Sequence, residues 1–288
     1  DIPDGMTVRA GDLVWIPFRT RRIVGLVRAV NSTAATEKPR RPIEASYAGL
    51  RLSDRTLGLL DALAIGSFTS KPSILHAWIG SLPKKSKDAP SRPAQPSLMA
   101  TGEERCLPNH WVGPNGVAAT AKAAAKDKKR VLVLTPWAAR AAWLAERCGA
   151  TLLTSELAAG ARFRAWSGFI RGDVRVLVAT RAGAWIATES DMVILDDPEN
   201  ADHKQDELAP RFDARWIAEQ ARHRGVSSVL IGLTPRLTAD MRASTVPTLM
   251  PRLTAIDTHR SDWSPISGLQ RRTVNILEEA LKTIGDHG

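Results

Sequence analysis

Cysteine is almost missing from this chain, with two in 288 residues, Cys106 and Cys148. They lie far apart and have no histidines at metal-ligand spacing, which excludes a disulfide framework and suggests no zinc site. Both are read as reduced and inert. No apolar run approaches the roughly 20 residues that span a bilayer, so no membrane partner is expected and the cytoplasm is the default compartment. An initiating Met is also missing, since the sequence opens on Asp1. A native start upstream is therefore expected, and targeting signals are not read from this sequence.

Basic charge is abundant: 40 Lys and Arg against 30 Asp and Glu give a net charge of +10. Residues 1–98 hold 15 basic and 8 acidic side chains, most of that excess. Such an imbalance favours a polyanion, because each phosphate contact made by Lys or Arg releases condensed counterions. A solvated basic surface gives the same balance, so charge alone leaves both readings open.

Along the chain, residues 11–30 read as two short β-runs joined by a basic turn, and Asn31–Pro42 as a polar loop carrying Lys38, Arg40 and Arg41. Leu57, Leu59, Leu60, Leu63 and Ile65 recur near helical spacing behind Ser53, a residue type that caps helix starts. A second helical piece is predicted over 73–79. Residues 83–98 contain four prolines and Lys84, Lys85 and Lys87, with almost nothing to bury, which predicts an extended linker.

Beyond the linker, strands and helices alternate. Helices are predicted at 117–129, 138–148, 157–171 and 212–224, and strands at 131–134, 151–153, 174–179, 192–195 and 226–231. Near-continuous apolar strands between helices imply a parallel sheet covered on both faces, with its sites at the carboxyl ends of the strands. Those ends read Thr135-Pro136, Thr180-Arg181, Asp196-Asp197-Pro198-Glu199 and Thr234-Pro235.

That order of strand ends resembles superfamily 2 helicases, and within them the primosomal protein N-prime (PriA) family. Asp196–Gln205 followed by Pro210-Arg-Phe-Asp-Ala-Arg215 is similar to the family's Asp-Glu-Glu-His box and the stretch after it. Asp4-Gly5-Met6, Gly11, Ile16-Pro-Phe18 and Gly25-Leu-Val27 resemble the domain in which that family holds the 3-prime end of a nascent strand. The resemblance implies a multidomain α/β fold. Its expected parts are a β-rich DNA-binding domain over 1–42, a helical, winged-helix-like domain over 43–82, the linker 83–98, and one RecA-like lobe over 99–288. It implies forked or branched DNA and primosomal and replication proteins as partners.

The departures concern the motor. A phosphate cradle needs glycines, a Lys and a Ser or Thr hydroxyl, but Cys106–Gly116 has no Lys, and its prolines remove backbone donors. Gly113 and Gly116 are what is left of a nucleotide loop. In the acidic box Asp196 keeps the magnesium-shell position, Asp197 is one methylene shorter than the Glu the family uses, and Pro198 and Glu199 replace the last two members. Because phosphoryl transfer depends on positioning and electrostatics, ATP and magnesium are not expected as working cofactors. The family's zinc module and second lobe are not in this sequence.

Candidate DNA contacts are Arg19, Arg21, Arg22 and Arg28 in the β-domain, and Arg181, Lys204 and Arg211 beside the strand ends. Trp15 and Phe18 are assigned to the core, as are Trp143, Trp166 and Trp216. Arg215 fits either DNA contact or helix packing. His203 and His223 are read as ordinary polar side chains, and no metal ligands are assigned. The expected function is recognition of branched DNA in replication restart without helicase activity. An ATP-dependent 3-prime-to-5-prime helicase completed by further chain, and a non-enzymatic scaffold, are the rivals.

Overall fold

The structure, a computed structural model, describes residues 2–30, 42–80, 82, 102–108, 116–207 and 209–232, all within the compact unit Asp1–Thr245. The predicted linker at 83–98, the basic residues of the loop before Pro42, Gly113, Thr234-Pro235 and the segment 255–288 lie outside the described residues.

The amino-terminal sheet has three antiparallel strands in the order β2-β1-β3, where β1 is Asp12–Phe18, β2 is Arg21–Leu26 and β3 is Ala45–Arg51. Phe18 pairs with Arg21 across a two-residue turn. Arg19 lies there at φ 54°, the left-handed geometry that tight hairpins need. Gly11, one of the residues carrying the family resemblance, has a local reason to be Gly. It sits at φ 89°, and a Cβ there would lie 2.0 Å from the Leu52 carbonyl oxygen.

The stretch 43–82, expected to form a helical domain, gives its first part to the sheet as β3. The helices follow as α1 (Asp54–Gly66), capped by Ser53 as expected, and α2 (Lys71–Ile79), capped by Ser70. Two consecutive left-handed residues, Ala48 at φ 58° and Gly49 at φ 59°, break the alternation that would have marked β3 in the sequence.

The larger sheet has six parallel strands in the order β4-β11-β8-β5-β7-β6. These are β4 (Glu104–Pro108), β5 (Val131–Leu134), β6 (Thr151–Leu153), β7 (Val176–Ala179), β8 (Met192–Asp196) and β11 (Ser227–Gly232). A short ribbon of β9 (Lys204–Gln205) and β10 (Phe212–Asp213) lies between the last two in sequence.

Alternation along each strand splits the core into two faces. Val131, Val133, Val176, Val178, Ile194 and Val229 pack with α3 (Gly116–Lys126) and α4 (Ala138–Cys148). Leu132, Leu134, Leu177, Val193 and Leu195 pack on the other face with α5 (Ala159–Arg171), α6 (Ala214–Arg222) and the 3-10 segment Arg181–Glu189. Each fully buried Val or Leu contributes roughly 1.5–3 kcal/mol through removal from water. A parallel sheet covered on both faces, as a RecA-like lobe requires, thus accompanies a small antiparallel sheet.

The amino-terminal elements share the second of those cores. Ring contacts run from Trp15 to Tyr47 (5.1 Å), Phe163 (5.9 Å), Trp166 (5.2 Å), Trp185 (5.6 Å) and Trp78 (5.7 Å). Glu189, 1% exposed, accepts hydrogen bonds from the Ser53 N–H (2.6 Å) and the Thr56 hydroxyl (2.5 Å). A buried carboxylate held by two donors from another element fixes α1 against the lobe, since leaving either donor unmet carries a desolvation cost. Burial pushes the Tyr47 hydroxyl up to about 12.

Candidate functional site

In the order β7-β5-β8, the strand that comes first in sequence lies between the two that follow it. This is the kind of position where open parallel sheets form a crevice at their carboxyl ends. Thr135 follows β5 and Asp196 ends β8. The Thr135 hydroxyl donates to Asp196 Oδ2 at 3.0 Å. Arg140, in the first turn of α4, donates to the same carboxylate from Nε (3.0 Å to Oδ2) and Nη2 (3.2 Å to Oδ1). The Asp196 side chain is 4% exposed and that of Arg140 33%. The guanidinium also lies 4.8 Å from the Trp143 ring centroid, and Arg147 covers the same ring at 4.8 Å.

The loop after β8 is pinned at several points. Asp197 is left-handed at φ 55°, its N–H donates to the Ile231 carbonyl at 2.8 Å, and its carboxylate accepts from Asn200 Nδ2 at 3.0 Å. Glu199 lies over Gly232 so closely that a Cβ at 232 would be 2.3 Å from Glu199 Oε2. The Trp137 indole donates to Asp202 Oδ2 at 2.6 Å, and Arg181 Nη1 to the Asp202 carbonyl at 3.0 Å. Arg215 grips Asp213 and donates to the Pro198 and Asn200 carbonyls, each at 3.2 Å.

His203, read from sequence as an ordinary polar residue, is instead fully buried under the loop. Its Nε2 lies 3.0 Å from the Asp196 carbonyl oxygen and 3.2 Å from that of Asp197. Burial lowers its pKa, so the neutral ring donates from Nε2 and ties the loop to the strand end.

This donor set does not fit a magnesium shell. Both Asp196 oxygens are already met by a guanidinium and one also by a hydroxyl, so a divalent cation would have to displace Arg140. Asp197, where the resemblance implies the residue orienting an attacking water, turns its carboxylate into its own loop. Gly116 opens α3 as a buried residue. Among the described residues no cluster of three or more His, Cys, Asp or Glu could hold a metal ion. Cys148 is buried, which raises its thiol pKa.

The candidate DNA contacts fall into two groups. Arg19, Arg21 and Arg22 are exposed at the β1–β2 hairpin. Arg19 lies 5.7 Å from the Phe18 ring centroid, and Arg22 5.1 Å from that of Trp15 and 3.6 Å from Glu44. Phe18, assigned to the core from sequence, is 45% exposed. It is the last residue of β1, at the turn. Trp15 is half-buried against the core as expected. Arg28 stands apart, donating to the Leu57 carbonyl at 3.2 Å and pairing with Asp61 at 2.5 Å, so it braces α1.

Lys204 in β9 and Arg211 just before β10 are exposed, and the half-exposed Arg181 meets Asp202, to which the 49% exposed Trp137 also donates. Sequence reasoning missed Trp137, Arg140 and the pinning role of His203. Thr135 and Arg140 meet Asp196 only because the sheet brings together positions about sixty residues apart. A cation one turn into the helix after a Thr-Pro strand end was the available signal.

Comparison with known proteins gives a partial match. No family model matches the chain. Over 94 residues it is 31% identical to the replication restart protein PriA of Bacillus subtilis, an alignment that spans 32% of this chain and 12% of that protein. Similar solved structures include the Pyrococcus furiosus Hef helicase domain, at 15% identity and a TM-score of 0.30 over 42% of this chain and 26% of that one. Saccharomyces cerevisiae Dbp5 bound to RNA and ADP BeF3 has 15% identity and a TM-score of 0.35 over 52% and 40%. No helix among the described residues is long and apolar enough to cross a membrane. About a third of the chain thus resembles a replication restart protein, on a fold with a parallel sheet enclosed by helices.

Proposed function

We propose that this chain is a helicase-like DNA-binding protein of replication restart, which recognises branched or forked DNA and does so without turning over nucleotide. The observation that carries the second half is the closed Asp196–Arg140–Thr135 cluster. An internal guanidinium supplies the positive charge that a metal–nucleotide complex would bring, and the loop behind it is fixed by His203, Arg181 and Arg215. A metal–nucleotide complex would have to displace Arg140 from Asp196 before it could use that carboxylate.

The first half rests on the similarity to PriA over 94 residues and on the two groups of exposed cations. In this reading Arg19, Arg21 and Arg22 meet phosphates while Phe18 packs on a base or sugar. Lys204, Arg211 and Arg181 line a second track at the sheet edge. The 3-prime end of a nascent strand is the DNA feature the hairpin domain recognises, and primosomal proteins are the partners. An ATP-dependent helicase completed by further chain is the second reading, favoured by the retention of Asp196 at the carboxyl end of β8.

Fluorescence anisotropy with a model fork, a duplex and a single strand at two salt concentrations tests the proposal. Expected is tighter binding to the fork, weakening steeply as salt rises. Equal affinity for all three DNAs would remove fork recognition, and affinity indifferent to salt would remove the phosphate contacts.

A further inference from the structure

Trp137 occupies a place that the fold itself does not explain. It is the N-cap of α4, just beyond the carboxyl end of β5, where Ser, Thr, Asp or Asn would bond the first turn of the helix. It makes no side-chain cap bond there and is 49% exposed. A large apolar ring at a cap position, half in water, serves neither the helix nor the core. A local rule broken without a packing gain points to a functional surface.

Exposure of one aromatic is ordinary; what sets Trp137 apart is a ring both fixed and uncovered. Its indole N–H donates to Asp202 Oδ2 at 2.6 Å. Asp202 is itself held, its N–H donating to Asn200 Oδ1 at 2.9 Å and its carbonyl accepting from Arg181 Nη1 at 3.0 Å. The other described tryptophans are covered: Trp15 by Arg22, Trp143 by Arg140 and Arg147, and Trp78, Trp166 and Trp185 by one another, while Trp216 packs on the core. Among the described residues no ring or guanidinium lies over Trp137.

Charge completes the arrangement. Arg181 bonds the residue that holds the ring, and Lys204, two residues beyond Asp202, is exposed. An oriented ring face with cations beside it suits a strand whose bases stack while its phosphates meet the cations. In a duplex the base faces already stack on one another, so the matching partner is an unpaired strand. We infer that Trp137 stacks an unpaired base of single-stranded DNA at the carboxyl end of β5, with Arg181 and Lys204 on the adjoining phosphates. The inference deepens the proposed function and rests on its DNA reading: the lobe selects unpaired DNA through a base face rather than through charge alone.

The test is anisotropy titration of the whole protein with a labelled oligothymidylate and with an abasic oligomer of the same length. Trp137→Gln keeps an N–H donor for Asp202 and loses the ring face, whereas Trp137→Phe keeps a face and loses the donor. Expected is a loss of about tenfold in oligothymidylate affinity for Trp137→Gln and of no more than about threefold for Trp137→Phe. Neither should change the dependence of affinity on salt, because stacking releases no counterions. Trp137→Gln should bind the abasic oligomer as wild type does, which separates the base from the backbone and from any loss of folded protein. Equal oligothymidylate binding by wild type and Trp137→Gln, the reverse order of the two variants, or an equal loss on the abasic oligomer overturns the inference. Fork affinity measured on the same samples separates the failures: fork binding that persists while the Trp137 variants change nothing sinks the stacking alone, and no binding to any DNA sinks the proposed function with it.

Discussion

Replacing Arg140 with Ala leaves the Asp196 carboxylate, 4% exposed, with Thr135 as its remaining side-chain donor. Breaking a buried ion pair by removing one partner costs about 3–5 kcal/mol. Arg140 is itself a third exposed, so water can enter where its side chain was, and a cost of about 2–3 kcal/mol is the better expectation. For a chain of this size that lowers Tm by roughly 4–12 °C.

Asp196→Asn keeps a hydrogen-bonding side chain and leaves a cation that can reach solvent, so it should cost less, about 1–2 kcal/mol. The double variant should be milder than the sum by at least about 1 kcal/mol, since the two residues act on each other. Urea unfolding of wild type, both single variants and the double variant gives all four values. An Arg140→Ala protein within about 0.5 kcal/mol of wild type, or strict additivity, would refute the idea that the guanidinium neutralises a buried charge.

Three further outcomes are expected. Arg19→Glu, Arg21→Glu and Arg22→Glu should each weaken fork binding and flatten the dependence of log affinity on log salt by about 1 for every phosphate no longer neutralised, with unfolding midpoints unchanged; an unaltered slope in anisotropy titrations would place the hairpin off the DNA. His203, whose pKa burial holds below the ordinary histidine value of 6.5, binds a proton more readily unfolded than folded. Its contribution to stability is therefore full above pH 6.5 and is lost as pH falls below that value toward its depressed folded pKa; urea midpoints compared between wild type and His203→Gln from about pH 7.5 to about pH 5 should converge as the pH drops. Glu189→Ala should destabilise by about 1–3 kcal/mol through the unmet Ser53 N–H, while the Thr56 hydroxyl can turn to Thr188 Oγ1, 2.7 Å away; hydrogen exchange should show α1 opening more easily, and protection unchanged from wild type would count against that joint.

The lobe was readable from the sequence because its strands are continuous apolar runs. Val131–Leu134 and Thr151–Leu153 fall where expected, and so does the helix Ala138–Cys148. The sheet at the amino terminus was half-readable, for β3 carries its side chains through an irregular stretch at Ala48 and Gly49 that erases the two-residue period. The site was legible as a set of strand ends but not as a cluster. Asp196 reads as a metal-shell residue in one dimension, and only the adjacency of β5 and β8 reveals that Arg140 already occupies it. Phe18 was assigned inward by its place in an apolar strand, yet it is the strand's last residue, at the turn, and is 45% exposed.

The most direct measurement is ATP hydrolysis by the longest natural form of the protein, with and without forked DNA, on samples whose fork binding has been verified. Tight fork binding with no DNA-stimulated hydrolysis is the expected result. Robust stimulated hydrolysis that Asp196→Asn abolishes would contradict it, because the crevice closed by Arg140 would then have to open to a metal and a nucleotide.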